Sequence, residues 1–370
     1  MNRKIPILSF FTGGGFLDMG FISAGFDIVW TNEYDHTFAQ FYSEGITSWE
    51  QARKLIPHDE KCKISNTSSI KEISSDSIIK NVFNDKKPQL FGVIGGPPCQ
   101  DFSINGNLVG FKGDRGSLIL EINPSFFVME NVSGLIRVKK NAKHFLELLE
   151  VMSENYLIDW DILNSLDFGV PQSRERIFVI GLNKDHFDLS SIQVDIRGQW
   201  FPFHVRQKYN NPHKLYKWPQ PIDFGRKDVK KPEDIPLQLC LESCLVPKQE
   251  ELLIPNANEY FNLLGDKKRF KALKEGETNR PSFKRLHRYK YSPTACYGNN
   301  EVHLHPYQHR RLSVRETLRI QGVEDSYILT TPKLLSKKFK MIGNGVPVPL
   351  AEAVAGTLKE FIESFTLKNK

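Results

Sequence analysis

The stretch IPILSFFTGGGFLDMGF, residues 5 to 21, begins with an apolar run, passes through three glycines and ends where a helix is expected to begin. Further short apolar runs follow in the first half of the chain: DIVWTN (27–32), LFGVIGG (90–96), FFVMENV (126–132), IDWDIL (158–163) and RIFVIGL (176–182). Consecutive apolar positions are typical of strands buried on both faces. Helical stretches alternate with these runs, so the sequence predicts an α/β fold with a doubly wound sheet.

The composition is that of an ordinary globular protein with a modest excess of positive charge. The 370 residues include 50 Lys and Arg against 43 Asp and Glu, which gives a formal net charge of +7. This balance is compatible with a polyanionic partner such as nucleic acid but does not require one. No apolar run approaches the roughly 18 residues of a membrane-spanning helix, so we expect no membrane segment.

The five cysteines are odd in number and lack the paired spacing of a disulfide framework or a zinc site. Cys240 and Cys244 have no second pair of ligands nearby, so we expect no metal site. The cysteine pattern therefore indicates a reducing compartment, the cytoplasm.

The sequence changes character after Leu182. Residues 204–236 are rich in proline, lysine, arginine and aromatic residues and show no clear periodicity. Trp, Phe and Leu recur through this region, so we expect a loop-rich second domain and not a disordered linker. Regular structure is expected again near residues 310–322, where Ser313 and Glu316 have the spacing of a helix capping box.

The last part of the chain carries an apolar stripe at helical spacing, formed by Leu350, Val354, Leu358, Phe361 and Phe365. The simplest partner for this stripe is the sheet of the first half of the chain, which makes the second domain an insertion. We therefore predict one domain from residues 1–182 together with 301–370, and an inserted domain from residues 183–300.

Two strand ends carry residues that suggest a cofactor. In FFTGGGFLDMGF (10–21) the glycines let the backbone approach a ligand where a helix begins, although a plain tight turn explains them equally well. Glu33 follows the second strand, where an acid can hold ribose hydroxyls. A solvated carboxylate at the strand end is the alternative for Glu33. Together the two features favour a nucleoside-bearing cofactor without a phosphate tail.

Two further strand ends carry residues suited to catalysis. GGPPCQDFS (95–103) places Cys99 at the start of a polar loop on a bend fixed by two prolines, which favours a nucleophile over a buried structural cysteine. Glu130 follows four apolar residues, so burial is expected to raise its pKa and let it hold a proton for a ring nitrogen. A carboxylate that caps the strand end is the alternative for Glu130.

Two other motifs carry polar side chains with less specific roles. In PQSRERIFVIG (171–181), Arg174 and Arg176 point to the same side by the two-residue alternation of a strand and can clamp an anion or a carbonyl oxygen. Isolated surface arginines are the alternative. MIGNGVPVPLA (341–351) is predicted to be a rigid loop in which Asn344 donates and accepts hydrogen bonds, with a plain helix start as the alternative.

In chain order, these motifs resemble the successive signatures of cytosine-5 DNA methyltransferases. The matching stretches are FTGGGFLDMGF, NEYD, GGPPCQDFS, ENV, QSRERIFVIG, RRLSVRETLRIQG and IGNGVPVPLA. They cover residues 1 to about 182 and about 300 to 370. The resemblance implies transfer of a methyl group from S-adenosylmethionine to carbon 5 of cytosine in a specific duplex DNA sequence. It also implies a doubly wound mixed sheet of the Rossmann-like methyltransferase type with a smaller inserted recognition domain.

The resemblance assigns the chemistry to particular residues. Cys99 corresponds to the nucleophile that attacks carbon 6 of the cytosine, because carbon 5 is a poor nucleophile before that addition. Glu130 corresponds to the acid that stabilises the protonated N3, Arg176 to the residue that steadies the base and Glu130, and Arg174 to its support. The target cytosine must leave the base stack for this reaction.

The resemblance also assigns the binding residues. The implied cofactor contacts are Phe11, Gly13, Gly15, Glu33, Pro98 and Asn344. The implied DNA contacts are Gln100, Ser103 and Arg115. The basic and aromatic content of residues 183–300 suits contact with a DNA groove.

The implied partners are duplex DNA and a cognate restriction endonuclease of the same restriction-modification system, which need not contact the chain. Methylation of one strand at a time requires only a monomer. The implied location is the bacterial cytoplasm, in association with the nucleoid through DNA. Two other functions stay open: a catalytically silent DNA-binding relative, and an RNA cytosine-5 methyltransferase of the same fold.

The sequence departs from the family pattern at three places. Phe16 replaces the second glycine of a Gly-Gly pair, which is expected to narrow the cofactor turn. Near the third strand, where the family carries an acid for the adenine amino group, we find only SNTSSIKEI (65–73), so the adenine contact is unassigned. The segment between Cys99 and Pro124 is about two helical turns shorter than usual, which predicts either a weakly active enzyme or residues missing from the chain.

Overall fold

The computed structural model of this chain describes residues 4–97, 116–196, 198–263, 267–297 and 302–365. Some residues assigned from the sequence lie outside these ranges, namely Pro98, Cys99, Gln100, Ser103 and Arg115. Within the described ranges, no helix is long and apolar enough to cross a membrane.

The predicted strands are all present. They are β1 (Ile5–Phe10), β2 (Phe26–Asn32), β3 (Gly92–Gly95), β4 (Phe126–Val132), β5 (Tyr156–Asn164) and β6 (Glu175–Asn183). They form a sheet with the order β2-β1-β3-β4-β6-β5. β1 pairs in parallel with β2 and β3, and β3 pairs in parallel with β4, whereas β6 is antiparallel to both β4 and β5. This mixed sheet confirms the predicted fold class.

Helices cover both faces of the sheet and extend beyond it. In the described residues they are α1 (Phe16–Ser23), α2 (His36–Ala52), α3 (Ser75–Phe83), α4 (Gly116–Ile122), α5 (Gly134–Arg137), α6 (Lys139–Ser153), α7 (Pro212–Leu215), α8 (Lys267–Lys271), α9 (Val314–Ile320), α10 (Leu335–Asn344) and α11 (Val348–Glu363). α9 begins at the predicted capping box, because Ser313 Oγ accepts from Glu316 N and the Glu316 carboxylate accepts from Ser313 N. The capping prediction is therefore confirmed.

Two apolar layers hold the helices against the sheet. On one face, strand side chains such as Ile7 and Ile180 pack with α1 and α11. The predicted stripe of the last helix is confirmed here, since Leu350, Val354 and Leu358 are buried in this layer. On the opposite face, α3, α4 and α6 cover the sheet. Burial on both faces explains why the strands are continuous apolar runs in the sequence.

The short connection before β4 ends in a seven-residue helix, α4. Leu118 and Ile122 of α4 are buried in the layer that covers the sheet. Lys87 Nζ donates to the Ile122 carbonyl oxygen at 2.8 Å, and Asn123 ends the helix in a left-handed conformation (φ 48°). Because β4 still pairs in parallel with β3, the short connection is compatible with the family's sheet.

The prediction of a rigid loop at residues 341–351 is wrong for most of this segment. α10 runs to Asn344 and α11 starts at Val348, so only residues 345–347 connect the two helices. Pro349 lies in the first turn of α11, where proline is tolerated because the first amides of a helix have no intrahelical acceptor. The prolines of this motif therefore mark a helix start.

The described part of the middle region is loop-rich, as predicted. Besides α7 and α8 it contains short 3-10 turns at Leu237–Leu239, Leu241–Cys244 and Lys248–Glu250. Leu241 and Cys244 join a core cluster that also includes side chains of α2 and α9. The domain limits at residues 182 and 300 stay a prediction.

Candidate active site

Parallel strands bring several loops to one edge of the sheet. β1, β2, β3 and β4 lead into residues 11–15, 33–35, 96–97 and 133. β6 is antiparallel to β4, so its first residue, Glu175, lies at this edge as well. Open α/β sheets bind ligands at the carboxyl ends of their parallel strands. This edge is therefore the candidate active site.

Glu130 and Arg176 form an ion pair across β4 and β6. Arg176 Nε lies 2.8 Å from Glu130 Oε1, and the two side chains are 10% and 9% exposed. The strand register sets this contact. Glu130 is opposite Phe178, and Arg176, two residues before Phe178, projects from the same face of the sheet. The fold thus brings together two of the residues predicted from the sequence.

The surroundings of Glu130 suit a general acid. Burial raises the pKa of its carboxyl above the ordinary value, while the positive charges of Arg176 and Arg174 act in the opposite direction. A carboxyl group with a raised pKa can hold a proton closer to neutral pH and donate it to a ring nitrogen. The expected effect of burial on Glu130 is therefore present.

The chain that leaves β3 passes beside the Glu130 carboxylate. A Cβ at Gly96 would lie 2.9 Å from Glu130 Oε2, so glycine permits this close approach. Asn131 Nδ2 donates to the Pro97 carbonyl oxygen at 2.9 Å and fixes the next residue of the chain. The chain is thus anchored next to Glu130 two residues before Cys99, which itself lies outside the described residues.

Arg174 makes contacts of a different kind from those of Arg176. Its side chain is fully buried, and it donates to the carbonyl oxygens of Ala295 at 2.9 Å and Gly343 at 2.6 Å. Burial and the neighbouring charge of Arg176 lower its pKa to about 9. Arg174 therefore joins the start of β6 to α10 and to the segment around Ala295. The acceptors of these two hydrogen bonds are backbone carbonyl oxygens.

Two glutamines not predicted from the sequence complete this anchor. Gln172 Oε1 accepts from Ala295 N at 2.9 Å, and Gln172 Nε2 donates to Gln321 Oε1 at 3.1 Å. Gln321 Nε2 donates in turn to the Ile342 carbonyl oxygen at 2.7 Å. Both glutamines are fully buried, where polar atoms need such partners. The sequence carried one indication of their importance, since Gln172 lies in the motif QSRERIFVIG and Gln321 in RRLSVRETLRIQG.

Glu33 organises the edge of the sheet next to the glycine turn. Its Oε2 accepts from Gly13 N and its Oε1 accepts from Asp35 N, both at 2.8 Å. Burial raises the pKa of the Glu33 carboxyl, and the bonds from the two amides oppose that rise. Glu33 therefore couples the end of β2 to the turn after β1, the two places at which a nucleoside ligand was predicted.

The turn after β1 has one open side and one packed side. A Cβ at Gly13 would meet open space, although the backbone there is left-handed (φ 55°), and Phe11 is half-buried just before it. Thr12 Oγ1 is buried and has no hydrogen-bond partner in the part of the chain that the structure describes. Gly15 faces inward, since a Cβ there would lie 2.7 Å from Ile46 Cδ1. The open side fits a polar ligand, whereas Gly15 serves the packing of α1.

Phe16 is a core residue beneath this turn. It is 1% exposed, and its ring packs edge-on against Tyr327 with the ring centroids 5.5 Å apart. Gly345 makes room for the ring, because a Cβ there would lie 2.3 Å from Phe16 Cδ2. Asn344, the preceding residue, is exposed at the end of α10. The Phe16 ring therefore fills the core next to α10, and Asn344 is accessible to a ligand.

The segment 65–73 lies beside the end of β2. Asn32 Nδ2 donates to the carbonyl oxygens of Asn66 at 3.0 Å and Ser68 at 3.1 Å. Glu33 N also donates to the Asn66 carbonyl oxygen, at 3.2 Å. The segment is therefore close to Glu33, while the adenine contact stays unassigned.

Comparisons with known proteins identify a family. The model of the C-5 cytosine-specific DNA methylase family matches residues 5–360. The Type II methyltransferase M.NmeDI of Neisseria meningitidis serogroup C is 36% identical over 383 residues, which cover 100% of this chain and 87% of that protein. The Type II methyltransferase M.FnuDI of Fusobacterium nucleatum is 30% identical over 369 residues, which cover 96% of this chain and 94% of that protein.

Solved structures share the fold at low sequence identity. The Dnmt2 methyltransferase of S. pombe has a TM-score of 0.62 at 16% identity and covers 97% of this chain and 99% of its own. A prophage-encoded E. coli protein described as a DNA modification methyltransferase has a TM-score of 0.65 at 23% identity and covers 98% of this chain and 100% of its own. The fold is the Rossmann-like fold of methyltransferases that use S-adenosylmethionine. The chain therefore belongs to the C-5 cytosine-specific DNA methylase family and is a DNA (cytosine-5-)-methyltransferase.

Proposed function

We propose that this enzyme methylates carbon 5 of a cytosine that is flipped out of a specific duplex DNA sequence, through a covalent adduct with Cys99. The observation that carries the proposal is the Glu130–Arg176 ion pair beside Gly96, from which the chain continues to Cys99. A buried acid, an arginine that orients it and a cysteine nearby in the chain are the groups needed to activate a pyrimidine ring.

The first step adds the Cys99 thiolate to carbon 6 of the cytosine. A carbon–sulfur bond forms, the electrons of the double bond between carbons 5 and 6 form a double bond between carbons 4 and 5, and the electrons of the double bond between carbon 4 and N3 move onto N3. N3 then takes the proton held by Glu130. The raised pKa of Glu130 favours the protonated carboxyl that this transfer requires. Arg176 stabilises the carboxylate that the transfer leaves, through the 2.8 Å ion pair.

In the second step carbon 5, now electron-rich, would attack the methyl group that S-adenosylmethionine supplies, and the methyl–sulfur bond would break with its electrons on the sulfur of the departing S-adenosylhomocysteine. A base then removes the proton from carbon 5, and the electrons of that bond restore the ring double bond. The carbon–sulfur bond breaks with its electrons on sulfur, which frees Cys99 as a thiolate. N3 returns its proton to Glu130, so Cys99 and Glu130 end in their starting protonation states, and the base releases the carbon 5 proton to solvent.

S-adenosylmethionine supplies the methyl group when bound at the glycine turn. Three features of the turn fit such a ligand: the open space at Gly13, the buried Thr12 hydroxyl without a partner among the described residues, and the Glu33 carboxylate, which suits ribose hydroxyls. We assign cofactor binding to Phe11, Gly13, Gly15, Glu33, Pro98 and Asn344. Gly15 acts through the packing of α1.

Duplex DNA is the proposed substrate. We assign contacts with it to Gln100, Ser103 and Arg115, and sequence recognition to residues 183–300. Moving the target cytosine out of the base stack costs roughly a few kcal/mol of free energy. Contacts of the protein with the phosphates and the groove offset that cost. The net charge of +7 is consistent with such a partner.

The names of the relatives support a role in restriction-modification. M.NmeDI and M.FnuDI are both named type II methyltransferases. In such a system this enzyme acts as a monomer on nucleoid DNA in the bacterial cytoplasm. Its product protects the DNA from a cognate restriction endonuclease, without contact between the two proteins.

Conversion sequencing of 5-methylcytosine tests this function directly. DNA is taken from a methylation-free host that expresses the wild type or the Cys99→Ala variant. We expect one recurrent modified motif in the wild-type DNA and none in the variant DNA. Unmodified DNA from a host with soluble, folded wild-type protein would contradict the proposal, and methylation of RNA by the same protein would favour the RNA methyltransferase.

A further inference from the structure

A pocket of about 310 Å³ lies where the start of β6 meets the middle region of the chain. Ser173 lines it from the β6 side, and Thr278, His287, Lys290 and Tyr291 line it from the middle region. Ser173 directly precedes Arg174 in the chain, so the pocket adjoins the candidate active site. The proposed mechanism uses none of its side chains.

Most of the side chains that line this pocket carry a hydrogen-bond donor. Lys290 supplies an ammonium group, whose Nζ lies 5.6 Å from the centroid of the Tyr291 ring. His287 Nδ1 accepts from Tyr289 N at 3.0 Å, so the proton of the neutral ring is on Nε2. His287 Nε2 is buried and has no hydrogen-bond partner among the described residues. The described lining contains no carboxylate, so it suits an anion.

A second histidine behind the pocket wall orients two of its hydroxyl groups. His213 Nε2 lies 3.0 Å from Ser173 Oγ, and His213 Nδ1 lies 3.0 Å from Tyr291 Oη. Burial lowers the pKa of His213, which favours a neutral ring with a single proton. In either tautomer, one hydroxyl accepts from the ring and keeps its own proton for a ligand.

Backbone hydrogen bonds fix the pocket to the start of β6. Ser173 N donates to the Ser292 carbonyl oxygen, and Ser292 N donates to the Pro171 carbonyl oxygen, both at 2.8 Å. Gly276 contributes room, since a Cβ there would lie 3.2 Å from His287 Cδ2. A ligand in the pocket is therefore held at a fixed offset from the residues that follow Ser173.

We propose that this pocket binds one phosphate of the DNA backbone, with Lys290 as the charged donor and two neutral donors, namely His287 and the one hydroxyl of Ser173 or Tyr291 that accepts from His213. Phosphate oxygens accept from ammonium, hydroxyl and ring N–H groups, and such contacts set the register of a protein on DNA. The contact positions the strand so that the target cytosine reaches Glu130 and Arg176. This inference rests on the proposed function and adds a defined substrate contact to it.

The test uses two variants that each remove one positive charge. Lys290→Gln removes the charge from the pocket and keeps a long polar side chain. Lys359→Gln, on α11, is the matched control, since it also replaces one lysine with glutamine. The Lys359 side chain lies next to Gly25, because a Cβ on Gly25 would be 2.6 Å from Lys359 Nζ. Gly25 directly precedes β2, so the control lies at the opposite edge of the sheet from the candidate active site.

The affinity of each protein is measured across a range of salt concentrations, on unmethylated duplex DNA that contains the motif identified by conversion sequencing. The slope of log affinity against log salt is negative, and each lost phosphate contact makes it less negative by about 0.9. We expect that change for Lys290→Gln, together with a roughly eightfold loss of affinity at about 0.1 M salt. Lys359→Gln is expected to keep the wild-type slope. In a scan of single methylphosphonate linkages, we expect one position that weakens the wild type and leaves Lys290→Gln unaffected.

An unchanged slope for Lys290→Gln, in a preparation where the wild type binds and methylates DNA, would overturn the pocket and leave the proposed function intact. The same is true if inorganic phosphate binds the wild type and not Lys290→Gln while the DNA slopes agree, since the pocket would then hold a free anion. A wild type that neither binds nor methylates DNA would overturn both proposals.

Discussion

Arg176 Nε lies 2.8 Å from Glu130 Oε1, at the edge where the parallel strand β4 ends and the antiparallel strand β6 begins. The opposite directions of these two neighbouring strands bring an acid from the end of one to an arginine at the start of the other. Burial raises the pKa of the acid and the arginine opposes that rise. The result is a carboxyl group that can both give and recover a proton.

Glu130→Gln should abolish most turnover and leave DNA binding nearly unchanged. The substitution keeps the shape and a hydrogen-bonding side chain but removes the transferable proton. General acid catalysis contributes about 10²- to 10⁴-fold, so we expect a loss of turnover in that range. Single-turnover methylation and DNA affinity are measured on the same preparation, and turnover within a factor of a few of the wild type would exclude Glu130 as the acid.

The two neighbouring arginines should separate stability from catalysis. Arg174→Lys should lower the free energy of unfolding by about 2 kcal/mol, because one ammonium group cannot reproduce the bonds to the carbonyl oxygens of Ala295 and Gly343. Arg176→Lys should change stability less and lower turnover more, because it alters the partner of Glu130. Urea denaturation and turnover are measured for both, and equal effects of the two variants on both quantities would contradict this division.

The glycines of the turn after β1 should respond differently to alanine. Gly15→Ala should destabilise the protein by about 2–4 kcal/mol, because the left-handed backbone disfavours a side chain and the Cβ overlaps Ile46. Gly13→Ala meets open space, so we expect about 1 kcal/mol from the backbone alone and a raised KM for S-adenosylmethionine. Denaturation curves and KM values test the pair. A Gly15→Ala variant as stable as the wild type would show that the turn is not packed as described.

Asp18 should make the stability of the protein depend on pH. Ser9 Oγ donates to Asp18 Oδ1 at 2.6 Å and Tyr42 Oη donates to Asp18 Oδ2 at 2.9 Å, and burial raises the pKa of Asp18 to about 7. Because the native state binds this proton more tightly than the unfolded state, stability from Asp18 is complete below about pH 4 and is lost as pH rises to about 7. The loss is at most about 1.4 kcal/mol per pH unit.

Asp18→Asn removes the titrating group and is the control for this effect. We expect the free energy of unfolding of the wild type to fall relative to that of Asp18→Asn between pH 5 and pH 7, and the difference to stay constant above that range. Chemical denaturation at several pH values provides the measurement. Parallel pH profiles for the two proteins would show that Asp18 does not titrate in this window.

The sequence predicts the strands and the chemistry of their ends well. Strands buried on both faces leave continuous apolar runs, and Glu33 and Glu130 are recognisable because polar residues follow such runs directly. The antiparallel direction of β6 is not encoded in this local pattern, and without it the pairing of Glu130 with Arg176 is not predictable from the residues alone. The family resemblance supplied that pairing.

Contacts between distant parts of the chain escape local patterns. Arg174 reaches carbonyl oxygens 121 and 169 residues away, and Gln172 meets Gln321 across 149 residues. These bonds depend on how α10 closes against the start of β6. The error at residues 341–351 has a local cause, since Pro349 in the first turn of a helix resembles a loop proline in sequence.

The most direct test of the proposed chemistry is covalent trapping on duplex DNA in which the target cytosine carries fluorine at carbon 5. Fluorine cannot leave as a proton, so the final elimination is blocked and the adduct accumulates. We predict that the wild type with S-adenosylmethionine forms a denaturant-stable complex with the DNA, that peptide mapping places the link on Cys99, and that Cys99→Ala forms none. A link on another residue, or no adduct from a wild type that methylates ordinary DNA, would contradict the account.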